Sequence, residues 1–145
     1  MARQIYTLRP PALLVLAALG SIGAAVYNMV AWRSAKAKKL YLAQCDVALA
    51  NPRFSNPSLL QLDVEAQRAD GSAETFEQYE WYVARLVYVL DECLKLCPNG
   101  EWYAVAEAQL GAHREYLTSD YYARQGYLSH YGPRMRGLLE DQRGS

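Results

Sequence analysis

PPALLVLAALGSIGAAVYNMVAW (residues 10–32) runs without one charged side chain, bounded by Arg9 before it and Arg33 after it. About 20 helical residues at 1.5 Å rise cover the roughly 30 Å hydrocarbon core of a bilayer, so this run can cross as a single helix. A secretory leader also starts after basic residues, but its apolar core is shorter, roughly 7–15 residues. Here bulky Tyr27, Asn28 and Met29 stand where small residues before a cleavage site belong, and a basic cluster follows at once, as in a stop-transfer segment. A buried core helix would share this composition. The spanning reading fits best: a tail at residues 1–9 and a transmembrane helix at residues 10–33.

The zero net charge of the 145-residue chain hides a split. Residues 1–39 hold six Lys/Arg and no acid, hence +6, whereas residues 40–145 hold nine Lys/Arg against all fifteen Asp/Glu, hence −6. An acidic domain argues against nucleic acid, which needs concentrated positive charge. Arg33, Lys36, Lys38 and Lys39 read instead as a flank that meets anionic lipid headgroups. They outnumber Arg3, Arg9 and the amine on the other side, which predicts a cytoplasmic soluble domain. Three cysteines, Cys45, Cys93 and Cys97, are an odd set and read as reduced thiols rather than a disulfide scaffold. Within the membrane run, Ala17, Ser21 and Ala25 recur every four residues beside Gly20 and Ala24, a small-residue face on which another helix can pack closely. Such residues are also common in any membrane helix.

No breaker interrupts residues 33–50, so the membrane helix is expected to continue through a basic juxtamembrane extension at residues 34–50. Leu42, Cys45 and Leu49, with Tyr41 and Ala48, are its expected packing face. Asn51-Pro52 ends it. Residues 51–72 form the main connection, either a loop or one with a helical turn near Ser58–Leu62 capped by Ser55 or Asn56. A bundle domain at residues 73–141 follows. Its clearest helix is residues 73–97, where Phe76, Tyr79, Val83, Leu86, Leu90, Cys93 and Cys97 are spaced three and four apart, broadened by Val87, Val89 and Leu94. Pro98-Asn99-Gly100 stops it. Residues 101–118 form the next helix, with Trp102, Ala106, Leu110, His113 and Leu117 on one face. Residues 120–131, after caps at Thr118–Asp120, form a shorter one. Residues 133–141 form a last helix, and residues 142–145 are expected to fray. The fold class is therefore all-α: one N-terminal transmembrane helix continuing into a small soluble bundle of about four helices.

Cys93 and Cys97 share a helix face and, with His113 or His130, contain zinc-type ligands. They also complete an apolar seam, and the turn-borne C-x2-C spacing of structural zinc sites is missing, so no metal and no cofactor are expected. His113 lies on an apolar face, and neither a nucleophile motif, a phosphate-binding glycine loop nor H-E-x-x-H accompanies it. An enzyme is disfavoured rather than excluded. Twelve tyrosines and three tryptophans against two phenylalanines stand out. Trp81, Tyr88 and Tyr103 lie off the seam and are the expected partner-facing aromatics.

The stretch WYVARLVYVLDECLKLCPNGEWYAVAEAQLGAHREYLTSDYYARQGYLSHYG, with Trp102, Ser119, Tyr122 and Tyr131 as its marks, resembles a widespread family of uncharacterised bacterial helical domains. Asp120 stands where a proline is common in that family. The resemblance covers residues 46–139 and implies a helical domain behind a single N-terminal anchor, with no activity to carry over. Together these readings predict a non-enzymatic, membrane-anchored interaction module, or an accessory subunit of a membrane complex, at the bacterial inner membrane. The alternative is a ligand-binding or enzymatic bundle with a pocket near Cys93, His113 and Tyr116.

Overall fold

A computed structural model describes residues 10–144, with side chains from residue 12 onward. The tail at residues 1–9, with Arg3 and Arg9, and Ser145 lie outside the described residues. The fold is all-α apart from one two-residue hairpin. A single helix, α1 (Pro10–Ala50), carries both the apolar run and the juxtamembrane extension without a break. It stops where proline demands: the side-chain amide of Asn51 donates to the Val47 carbonyl at 2.9 Å, occupying an acceptor that the helix end leaves open. Pro52 then opens the one-turn α2 (Pro52–Ser55).

The second half of α1 lies along α3 (Ala73–Leu96), the longest helix of the domain. The two run antiparallel: the Cys93 thiol donates to the Ala37 carbonyl at 3.4 Å, and Arg85 Nε donates to Gln44 Oε1 at 3.0 Å. The face of α1 that packs is the expected one only in part: Tyr41, Cys45 and Ala48 belong to it, and the leucines do not. Ala37 and Gln44 are buried, with Tyr41 and Ala48 half-buried beside them, while Leu42 and Leu49 point outward. Hydrophobicity alone favoured the leucines. The close approach of α3 instead selects small Ala37 and a glutamine that Arg85 can engage.

The seam on α3 is buried from Phe76 to Cys93, and only Cys97 at its end is half-exposed. Ser72 caps this helix by accepting the Thr75 N–H at 3.2 Å, and Asn99 caps α4 (Gly100–Ala112) by accepting the Trp102 N–H at 3.1 Å. Trp102 meets Tyr41 of α1 edge to face at 5.6 Å, which ties α4 to the same pair.

Three expected elements differ. The helix at residues 101–118 breaks at His113, whose φ of −107° and ψ of 18° fall in the bridge region, so α5 (Arg114–Leu117) sets off separately. The helix at residues 120–131 ends after α6 (Asp120–Arg124). Gly126, at φ +71°, turns the chain into a 3-10 turn (Tyr127–His130), a geometry only glycine adopts cheaply. The connection at residues 51–72 holds a 3-10 turn (Pro57–Leu59) and a hairpin of β1 (Leu62–Asp63) with β2 (Arg68–Ala69), paired Leu62 to Ala69 and Asp63 to Arg68. Neither Ser55 nor Asn56 caps the 3-10 turn with its side chain; Asn56 accepts the Ser58 hydroxyl instead. Asp63 stabilises the hairpin loop by accepting the Ala66 N–H at 3.0 Å. The final helix, α7 (Pro133–Gly144), continues through residues 142–144, where fraying was expected.

Candidate functional site

Three features of this architecture present chemistry to the outside. The first is the apolar half of α1. From Leu13 to Trp32 its large side chains are exposed, and none of the described residues covers its most apolar window. It is the one described helix long and apolar enough to cross a membrane. Ala17, Gly20, Ser21, Ala24 and Ala25 all lie in this uncovered part. The Ser21 hydroxyl donates to the Ala17 carbonyl at 2.9 Å, so its polar hydrogen is satisfied within the helix, as an apolar surrounding requires.

The second is a basic collar just beyond. Arg33, Lys36, Lys38 and Lys39 are all exposed, and Lys36 Nζ stands 5.0 Å from the centre of the Trp32 ring.

The third is a cleft of about 570 Å³ between α3 and the C-terminal aromatic segment. One wall is a stripe of α3 that includes Glu77, Glu80 and Trp81. The opposite wall brings Tyr116 from α5, Tyr122 from α6 and Tyr127 from the 3-10 turn. Tyr116 and Tyr122 rings meet at 5.2 Å and 65°, and Tyr122 and Tyr127 at 5.5 Å and 59°, so the rings form a tilted row rather than a stack. The Tyr116 hydroxyl donates to Glu80 Oε1 at 2.8 Å across the cleft. Burial first, and the adjacent Glu80 carboxylate second, hold the Tyr116 phenol far above its ordinary range, so it stays a neutral donor. Burial also raises Tyr122, and the neighbouring Tyr131 phenol adds to the shift. No Lys or Arg lines this cleft.

The second wall exists because of two fastenings. Ser119 caps α6 by accepting the Tyr122 N–H at 3.1 Å. Glu65 of the hairpin loop accepts the Tyr121 N–H at 2.9 Å and pairs with Arg124 at 2.8 Å, and these two donors hold its carboxyl below the usual range. The Ser119 cap was expected from the sequence, whereas the Glu65 fastening was not, because Glu65 lies 56 positions before Tyr121.

The residues expected to form a pocket near His113 do not converge. Tyr116 lines the large cleft. His113 borders a separate depression beside Pro57 and Leu60, and Cys93 is buried against α1. His113 is a core residue: its Nδ1 lies 3.0 Å from the Tyr79 hydroxyl, its Nε2 has no partner, and burial lowers its pKa to about 4. Burial likewise pushes the Cys93 thiol up to about 11, the opposite of an activated nucleophile. Among the described residues no three His, Cys, Asp or Glu side chains gather as a metal ion would require. Of the expected partner-facing aromatics, Trp81 and Tyr88 are exposed, Trp81 at 70%, whereas Tyr103 is half-buried against the core.

No family model, curated protein or solved structure matches this chain.

Proposed function

We propose that this chain is a membrane-anchored, non-enzymatic interaction module, or an accessory subunit of a membrane complex. The observation that carries the reading is the apolar half of α1, which the domain leaves wholly uncovered. In water that surface would be a severe liability; in lipid it is the favoured state. A leader sequence and a buried core helix have the same composition. Two features favour the anchor over them. The helix continues unbroken into a half that packs in the domain through Ala37 and Gln44, and none of the described residues covers the exposed half.

In this reading α1 spans the bilayer through residues 10–33, and Arg33, Lys36, Lys38 and Lys39 meet the headgroups of the cytoplasmic leaflet. The setting is the bacterial inner membrane that the family resemblance implies. The small-residue face of Ala17, Gly20, Ser21, Ala24 and Ala25 serves helix packing in the membrane. Exposed Tyr88 offers a protein partner an aromatic anchor. An unbroken helix holds the domain at a fixed height above the lipid and raises its effective concentration toward membrane partners.

Alkaline carbonate washing of membranes from cells expressing the full chain tests the anchor. Retention in the pellet supports it, and release into the supernatant removes it. A photo-crosslinking residue at position 88 tests the interaction role. Adducts with one protein at stoichiometric yield support a dedicated partner, and their absence at positions 88 and 103 alike argues against one.

A further inference from the structure

We infer that the cleft between α3 and the C-terminal tyrosines binds a small organic cation of the alkylammonium class. Its volume, about 570 Å³, lies within the range of small-molecule sites, roughly 300–1,000 Å³. Its chemistry is one-sided. Glu77 and Glu80 supply negative charge, no Lys or Arg lines it, and the rings of Phe76, Trp81, Tyr116, Tyr122, Tyr127 and Tyr131 share its walls with that charge and with His130. A ring face attracts a cation within about 6 Å of its centre, and a carboxylate alongside adds a full charge. Anions find no lysine or arginine here, the nitrogen donors among the lining side chains being the Gln67 amide, the His130 ring and the Trp81 indole, and a purely apolar ligand would bury Glu80 without compensation.

The tyrosines are built to stay neutral and in place. Tyr116 is held by its 2.8 Å hydrogen bond to Glu80, and Tyr122 is only 4% exposed, packed against Tyr116 and Tyr127. Tyr116 and Tyr122 are packed into the floor of the cleft, and half-buried Tyr127, tilted at 59° to Tyr122, and exposed Trp81 are the rings it leaves accessible. Trp81 stands at the mouth and is the ring free to close on a ligand.

The ammonium group could come from a dissolved amine or from a lipid headgroup. The α3 level of Gln78 to Trp81 lies beside Val47 of α1 and Asn51 just past its end, 14 to 18 residues beyond Arg33. At 1.5 Å per residue that is roughly 21–27 Å above the membrane end of the helix, a height that favours a dissolved ligand. This last step alone rests on the anchor reading; the cation site itself does not.

The test is calorimetric titration of the full chain in maltoside micelles with choline, beside its neutral isostere 3,3-dimethylbutan-1-ol. Choline is expected to bind saturably and at least about tenfold more tightly than the isostere. Glu80→Gln keeps an oxygen for the Tyr116 hydroxyl but removes the charge, and Trp81→Ala removes an exposed ring outside the core. Each is expected to weaken choline at least about fivefold, and Trp81→Ala carries the test alone should the other variant fold poorly. Equal affinity for the isostere, no saturable binding up to about 50 mM choline, or full binding by both variants would overturn the inference. Repeating the titration in nanodiscs separates the sources. Unchanged binding in phosphatidylcholine and phosphatidylglycerol discs supports a dissolved ligand. Loss in phosphatidylcholine alone supports the same chemistry supplied by a headgroup.

Discussion

Both carboxylate oxygens of Asp91 face the backbone N–H of Gly132, at 3.1 and 3.2 Å, joining positions 41 residues apart. Asp91 is 1% exposed, and Lys95, one turn along α3, reaches its Oδ2 at 2.7 Å. A buried carboxylate is tolerable only with such company. The contact anchors the end of the aromatic segment to α3, and it leaves little room at position 132: a Cβ there would stand 3.0 Å from Asp91 Oδ1 and 3.1 Å from Lys95 Cε, so those side chains would have to give way.

Replacing Asp91 with Ala therefore strands the Gly132 N–H and is expected to cost about 1–3 kcal/mol. Gly132→Ala is expected to cost about 1–2 kcal/mol by forcing Asp91 and Lys95 aside. Urea unfolding in micelles, at unchanged slope, reads both. Because the two changes attack one contact, the double variant should lose less than the sum. Strict additivity would show that the clasp does not act as a unit.

His113 gives the domain a pH dependence of defined sign. Its folded pKa is about 4 against an ordinary 6.5, because burial disfavours the charged ring. Between those values the unfolded chain takes up a proton that the folded chain refuses. Stability is therefore fully present above about pH 6.5 and falls as pH drops toward 4, by about 3 kcal/mol at most. His113→Gln removes the titrating group. The difference in unfolding free energy between parent and variant should shrink by about 1 kcal/mol per pH unit on going from pH 6.5 to 4.5. A difference independent of pH would mean that the ring is not held neutral.

Much of this was legible in the chain, and the rest was not for reasons that can be named. The α3 seam showed because Phe76 through Cys93 keep helical spacing with no polar intruder. The packing face of α1 was legible only in Tyr41, Cys45 and Ala48, because its centre is Gln44, whose polarity hid a buried position that Arg85 makes tolerable. The hairpin was invisible because strands of two residues carry no alternation to detect. The cleft was half visible. The abundance of tyrosine announced something unusual, but the meeting of Tyr116, Tyr122 and Tyr127 opposite Glu80 depends on the break at His113 and the turn at Gly126. Both sit inside stretches that look helical throughout.

That turn can be tested on its own. Gly126 has φ +71°, yet a Cβ there meets no atom within 4 Å, so any penalty for a side chain is backbone strain alone. Gly126→Ala is expected to lose about 1–2 kcal/mol, and Gly126→Asn less, since asparagine tolerates the left-handed region. Because Tyr127 follows directly, the alanine variant should also loosen that ring. Thermal unfolding orders the three proteins, and an alanine variant as stable as the parent would contradict the geometry.

Two leucines on one helix separate membrane burial from mere exposure. Leu16 is 56% and Leu42 63% exposed, both on α1, and neither is covered by the domain. They differ only in lying on opposite sides of the Arg33–Lys39 collar. Lysine at the centre of a membrane helix costs about 2.5–3.5 kcal/mol on insertion scales, whereas lysine on a hydrated helix face costs almost nothing. Leu16→Lys, combined with Leu19→Lys to overcome the surplus hydrophobicity of the run, is therefore expected to shift the chain markedly out of the membrane fraction in vesicle flotation. Leu42→Lys should float like the parent. Equal behaviour of the two variants would mean that α1 meets the same surroundings along its whole length, as a helix in water or in a protein interior does.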